Sequence, residues 1–327
     1  MRAREGAVML AARWLLAGVL SVSPMSLAGD VPSSEADEGQ QTPQKVCFNA
    51  IDGYFIHADY YGPLSGYEPA PIVILVPDCP GERKDWAALI GPLREAGFVV
   101  LAPDLRGLGE SANSETQPRA AGGDAQLLAD MQKDLRGAYD WLAQQAGVDR
   151  ARVAMVAAGV GSGVALRYAA KDRSVDAIVC LSPRLSTAGI NPLGDMGQIR
   201  GRTILLVGAE GERGDCQKLA ARGERVNTEI VSASATGTRL LEAVPDLRRR
   251  IVGALVRGVG SPSERVVFGS LESNVYHLAG SGWIARINTS NLRCYSSPEE
   301  AEARGLRAAK SGGPSGRTER LRPREQP

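Results

Sequence analysis

The segment Arg152 to Leu166, RVAMVAAGVGSGVAL, runs from a short apolar stretch (Val153 to Val156) into small residues and then into a helix-forming stretch. Strand, sharp turn and helix in that order is the layout that lifts a serine nucleophile out of a sheet in the pattern G-x-S-x-G. Here the turn reads Ala157-Ala158-Gly159-Val160-Gly161, and Gly159 stands in the serine's place. Glycine has no side-chain oxygen with which to attack a carbonyl. Acyl transfer also needs a base for the nucleophile's proton, an acid to orient that base, and donors for the oxyanion. Bases are scarce, because the only histidines are His57 and His277. Ser162 follows Gly159 by three residues, which carries it about one turn into the helix and off the apex. It reads as a small residue for close packing of helix on sheet. Cys79 is the other conceivable nucleophile, but no histidine falls near it in the inferred layout.

Positioning such a turn requires a sheet, and the chain supplies one. Phe48 to Tyr61 reads as a hairpin turning at Asp52-Gly53. PIVILVP (Pro71 to Pro77) and FVVLA (Phe98 to Ala102) read as buried strands, followed by strands near 152–156, 175–181, 203–208 and 226–231. Helices are expected over Trp86 to Ala96, over Asp124 to Gln145 and over about Arg239 to Val256. The second carries Leu127, Leu128, Met131, Leu135, Ala138, Tyr139 and Leu142 at helical spacing. Continuous apolar strands alternating with helices indicate a mostly parallel sheet covered on both faces. Ligands of such sheets bind beyond the carboxyl ends of the strands. The loops that fall there are Asp78 to Glu82, Asp104 to Ser111, Ala157 to Gly161, Glu210 to Asp215 and Ala235 to Gly237. Pro183 to Gly201 is too short for a large lid.

Phe98 to Ser111, with its D-x-R-G-x-G-x-S loop, and the stretch PIVILVPDCPGERKDW resemble the α/β-hydrolase superfamily, near its dienelactone-hydrolase and serine-aminopeptidase-like members. The resemblance covers about 45–259. It implies an α/β-hydrolase fold, with Gly159 at the nucleophile position, Glu212 (with Glu210 next to it) at the acid position and Thr236 at the base position. A hydroxyl cannot act as a general base near neutral pH. Where the superfamily commonly has His-Gly, this chain has Pro77-Asp78-Cys79-Pro80, so Asp78, Cys79 and Val160 are the candidate oxyanion-region residues. Proline at 77 and 80 offers no N–H, which puts the hole in doubt. An ionised Asp78 would oppose a developing oxyanion, or else it caps a turn.

A second unit follows a linker at Gly258 to Ser263. Residues 264–310, with NLRCYSSPEEAEARGLR, resemble the small metal-binding module of Ada-type DNA-repair proteins. That resemblance implies a small α+β unit in which His277 is the first metal ligand. Ser281 replaces the expected cysteine, and Ala309 and Gly312, which cannot coordinate, fall where the two late cysteines belong. One ligand of four cannot hold a structural zinc, so His277 is vestigial and no metal or other cofactor is expected. The unit must rely on Val267, Phe268, Tyr276, Trp283, Ile287 and Leu292 packing together or against the larger domain.

The remaining composition narrows the function. The chain has 327 residues, 43% of them hydrophobic, and its 38 basic and 37 acidic residues nearly cancel. No net field favours nucleic acid or an anionic membrane. Arg2 and Arg4, the apolar Ala7 to Val22 and Ser26-Leu27-Ala28 read as a signal peptide over 1–28. A flexible leader over 29–44 and a disordered tail over 311–327 complete the expected organisation. After signal cleavage no integral membrane span is expected, and the protein is exported, to the periplasm, cell envelope or beyond. Five cysteines without C-x-x-C spacing leave at least one free thiol. The expected function is a catalytically inactive hydrolase-like protein that binds an unknown small ligand or protein partner. The alternative is a hydrolase of small carboxylic esters or lactones with a non-standard arrangement.

Overall fold

The computed structural model describes residues 42–64, 67–260, 266–278, 281–288, 291–295 and 297–309. The signal-peptide reading, nearly all of the leader and the tail lie outside them. From the amino end the strands and helices are β1 (Gln44–Asn49), β2 (Phe55–Tyr61), β3 (Ala70–Val76), α1 (Ala87–Glu95), β4 (Val99–Pro103), α2 (Thr116–Ala121), α3 (Ala125–Leu142), β5 (Val148–Ala158) and α4 (Gly159–Lys171). They continue through β6 (Val175–Leu181), α5 (Pro192–Met196), β7 (Thr203–Ala209), α6 (Arg213–Ala220), β8 (Val226–Val231), α7 (Leu240–Ala243) and α8 (Leu247–Val259). The last unit contains β9 (Val267–Ser270), β10 (Val275–Leu278), β11 (Leu292–Tyr295), α9 (Pro298–Ala303) and β12 (Arg307–Ala308).

Eight strands form one sheet in the order β1-β2-β4-β3-β5-β6-β7-β8. The hairpin β1-β2 runs antiparallel and joins β4 antiparallel, whereas β4 to β8 are parallel. Every residue of β3, β4 and β7 is buried, as expected when helices cover both faces of a sheet. Alternation assigns the faces. Ile72, Ile74 and Val76 pack into the core that contains Leu135 of α3 and Val164 of α4. Val73 and Leu75 pack into the opposite core, with Leu89 of α1 and Ile251 of α8. Asp124 starts α3 by accepting the Leu127 N–H at 2.8 Å, an N-cap that satisfies an orphan helix donor.

The single helix expected over 239–256 is divided into α7 and α8. Pro245 has no N–H to continue the ladder, and it pushes Val244 to extended dihedrals (φ −120, ψ 99).

The second sheet has the order β11-β9-β10-β12. It is not an independent body, because Phe268, Leu292 and Cys294 are buried in the same core as α1 and α8. A Cβ on Gly253 of α8 would already touch Leu292 at 3.1 Å, so helix and strand pack closely at this glycine. Val267, Tyr276, Tyr295 and Ala301 form a small core of the unit's own. Trp283 departs from its expected role. It is 40% exposed, with its ring stacked on His277 and under Arg286. Among the described residues no helix is long and apolar enough to cross a membrane.

Candidate active-site cleft

Strands β3 and β5 are parallel neighbours, with Val76 opposite Ala157. The loops leaving their carboxyl ends therefore emerge side by side. Gly159 opens α4 at φ +49, in the left-handed region that glycine enters without steric cost. The loop from β3 closes over it. A Cβ on Gly159 would lie 2.1–2.2 Å from the Asp78 carboxylate, and a Cβ on Gly161 would lie 2.1 Å from the Pro77 carbonyl oxygen. Two missing side chains thus make room for one acidic loop.

The Asp78 carboxylate sits where a side chain on residue 159 would start. Its Oδ1 accepts the Val160 N–H at 2.7 Å and the Cys79 N–H at 2.7 Å. One N–H from the residue after the turn and one from the β3 loop is the donor pair that stabilises an oxyanion in this kind of site. Pro77 and Pro80 do not strip the loop of donors, since Cys79 between them supplies one. Both N–H groups donate to the protein's own Asp78 carboxylate. Oδ2 faces Arg184 at 3.8 Å, with the Arg184 side chain 56% exposed. A contact this long and this wet stabilises little.

Just past β7, Glu212 is half-buried and bonded rather than solvated. Its Oε2 accepts the Ser182 hydroxyl at 2.8 Å and the Ala209 N–H at 2.9 Å. Ser182 Oγ in turn accepts the Gly237 N–H at 2.7 Å. This relay ties the loop carrying Thr236 to the glutamate. Thr236 is exposed, and a Cβ on Gly237 would lie 3.9 Å from Asp78 Oδ2, so that loop reaches the Asp78 carboxylate. Asp78, Gly159, Val160, Glu212 and the 236–237 loop are thus gathered at one end of the sheet. Sequence reasoning missed Ser182, which lies just past β6 at φ 50. That value is unusual for a residue with a side chain and marks a position fixed by its surroundings. Ser182→Ala should lower unfolding free energy by about 1–3 kcal/mol in urea melts, since the buried Gly237 N–H loses its acceptor.

The other candidates are elsewhere or inert. Ser162 is 1% exposed and lies beside the buried Cys180 thiol, inside α4. Cys79 bonds the Ala120 carbonyl oxygen at 3.4 Å, and burial, helped by the nearby Asp78, pushes its thiol up to about 11. His57 lies on β2 and His277 on β10. Among the described residues no cluster of three His, Cys, Asp or Glu side chains is placed to hold a metal ion.

Residues 71–207 match the alpha/beta hydrolase fold family. Two uncharacterized proteins of Mycobacterium tuberculosis, from two strains, are each 30% identical over 163 residues, which is 50% of this chain and 53% of the relative. The chain thus spans about half the length of these curated relatives. Among solved structures, an esterase of Pyrococcus furiosus superimposes with a TM-score of 0.56 at 17% identity, over 74% of this chain and 100% of that one. A dienelactone hydrolase of Anabaena variabilis does so with a TM-score of 0.53 at 17% identity, over 67% and 99%. At such identities the likeness is one of fold. Together with the sheet order, these matches give the chain an α/β-hydrolase fold with a mixed central sheet and a small additional C-terminal sheet.

Proposed function

We propose that this is an exported, catalytically inactive relative of the α/β hydrolases, with Gly159 at the nucleophile's apex and Thr236 at the base position, acting as a binding or interaction module. The observation that carries the reading is the Asp78 carboxylate, which fills the space of a side chain at 159 and takes both backbone donors. A carbonyl substrate would find no attacking atom, no imidazole and a hole already holding a negative charge. Losing the nucleophile or the base of a serine triad alone costs about a million-fold in turnover. The C-terminal unit, on the Ada-type resemblance, has likewise kept one ligand position in His277 and lost its metal chemistry. Export is proposed from the charged and apolar pattern of residues 1–28.

The test treats the purified chain with p-nitrophenyl acetate and, separately, with a fluorophosphonate followed by intact mass. No turnover above the buffer rate and no adduct are expected. Ester turnover at ordinary enzymatic rates, or a stoichiometric adduct lost on replacing Ser162 or Cys79, would overturn the reading. Binding is read by melting the protein against a panel of small carboxylic acids and esters. A rise in Tm that Arg184→Ala abolishes supports the cleft as the binding site, and a flat panel assigns the role to another surface.

A further inference from the structure

Of the five cysteines, Cys79, Cys180, Cys216 and Cys294 are buried and Cys47 is exposed. Burial pushes the Cys79 and Cys216 thiols up to about 11 and the Cys180 thiol up to about 12, and it raises Cys294 as well. Cys47 is placed differently. It is the cross-strand partner of His57 in the β1-β2 hairpin, and its Sγ lies 3.2 Å from His57 Nδ1. One of only two histidines in the chain thus faces the one exposed thiol.

The backbone of His57 is fixed on both sides of the chain. Its main-chain N–H donates to Ser111 Oγ at 2.8 Å, and its main-chain carbonyl accepts the Asp104 N–H at 2.9 Å. The ring meets Phe55 edge-on at 5.3 Å between centroids. Glu110 Oε2 lies 3.9 Å from Nδ1, and the same carboxylate holds Arg83 at 2.6 Å and Lys45 at 3.4 Å. Every element packed here contributes a charged group: Lys45 on β1, Asp59 on β2 bound to Arg83, and Glu110 from the loop after β4. The constellation lies away from the cleft at Gly159 and takes no part in the function proposed for it.

We propose that Cys47 is a thiol–disulfide exchange site for low-molecular-weight disulfides, with His57 as the base for its thiol. The Sγ proton passes to His57 Nδ1 as the sulfur attacks one sulfur of R–S–S–R. An Sγ–S bond forms, the S–S bond breaks, and the departing thiolate takes up a proton as R–SH. Cys47 is oxidised to the mixed disulfide and the departing sulfur is reduced, so no further oxidant is needed. The thiolate is the attacking species. A free thiol is only a few per cent ionised at neutral pH, which is why a base within reach of the proton decides the rate.

The experiment incubates the full-length reduced chain with oxidised glutathione, and in a second arm with cystine, and reads intact mass and peptide maps. One adduct, at Cys47, is expected in both arms, and Cys47→Ser should remove it. His57→Gln should slow the exchange about tenfold at pH 7, and the deficit should shrink as rising pH lets hydroxide take the proton instead. Adducts at the buried cysteines with Cys47 spared would overturn the assignment. So would a disulfide-linked dimer in place of the mixed disulfide, or identical pH–rate profiles for His57→Gln and the parent.

Discussion

Adding Asp78→Ala to the pair Gly159→Ser and Thr236→His is expected to create ester hydrolysis that the pair alone does not give. The pair puts back the two missing reactive groups, but it leaves the new serine in contact with a carboxylate. The Cβ of residue 159 would lie 2.1–2.2 Å from the Asp78 side chain, far inside van der Waals contact, so the carboxylate must swing away or the serine must be displaced. Even if it swings, its charge stays beside the site where an oxyanion must form. Removing Asp78 frees the Val160 and Cys79 N–H groups together. Loss of one such donor costs about 100- to 1000-fold in turnover. The triple variant should therefore exceed the double variant by at least about 100-fold on p-nitrophenyl acetate. Serine at φ +49 carries strain of about 1–2 kcal/mol, so both variants should melt below the parent and are compared at a temperature where each is folded. Equal rates for double and triple variants would mean that Asp78 does not block the hole.

The sheet was legible because its strands are unbroken apolar runs and its helices keep their period. The turn at Gly159 was legible for the same reason, since it follows the end of one such run directly. The occupant of the turn was not. Asp78 and Gly159 are far apart in sequence, and they meet only because Val76 and Ala157 share a register across β3 and β5. A signal did exist. Gly159 and Gly161 are spaced for close backbone approach, and an acid between prolines follows the neighbouring strand. Reading the two loops together would have placed the carboxylate over the glycines. Ser182 left no such trace, because its role depends on three loops converging after β6, β7 and β8. Trp283, expected among the packing residues of a unit without metal, stays at the surface, because the small sheet finds its apolar cover in α8.

The D-x-R-G-x-G-x-S loop, read as a mark of the fold, also carries buried charges, Asp104 and Arg106. Arg106 is 5% exposed and Asp134 on α3 is fully buried. The guanidinium donates to Asp134 Oδ1 through Nε at 2.9 Å and Nη2 at 2.6 Å, and it reaches Asp52 in the hairpin turn at 2.8 and 2.9 Å. It therefore fastens the β1-β2 hairpin and α3 to the loop after β4. Arg106→Met should cost about 3–5 kcal/mol of unfolding free energy, because it leaves a buried carboxylate with no counter-charge. The loss should also depend on pH, with a definite sign. Burial already pushes the Asp134 carboxyl up to about 6 against its ordinary 3.8, with Arg106 pulling the other way. Without Arg106 it rises further. A carboxyl whose folded value is raised is neutral in both states below about pH 4. Its penalty grows as pH climbs from the unfolded value towards the folded one, where the unfolded chain has shed its proton and the folded one still holds it, and levels off above the folded value. Urea melts of Arg106→Met should thus lie nearer to the parent at pH 5 than at pH 8. Asp134→Leu in the same background removes the orphan charge and should recover most of the loss, as apolar replacement of whole buried pairs does. A loss under 1 kcal/mol, or one equal at both pH values, would show that the network does not hold the hairpin and helix as its geometry requires.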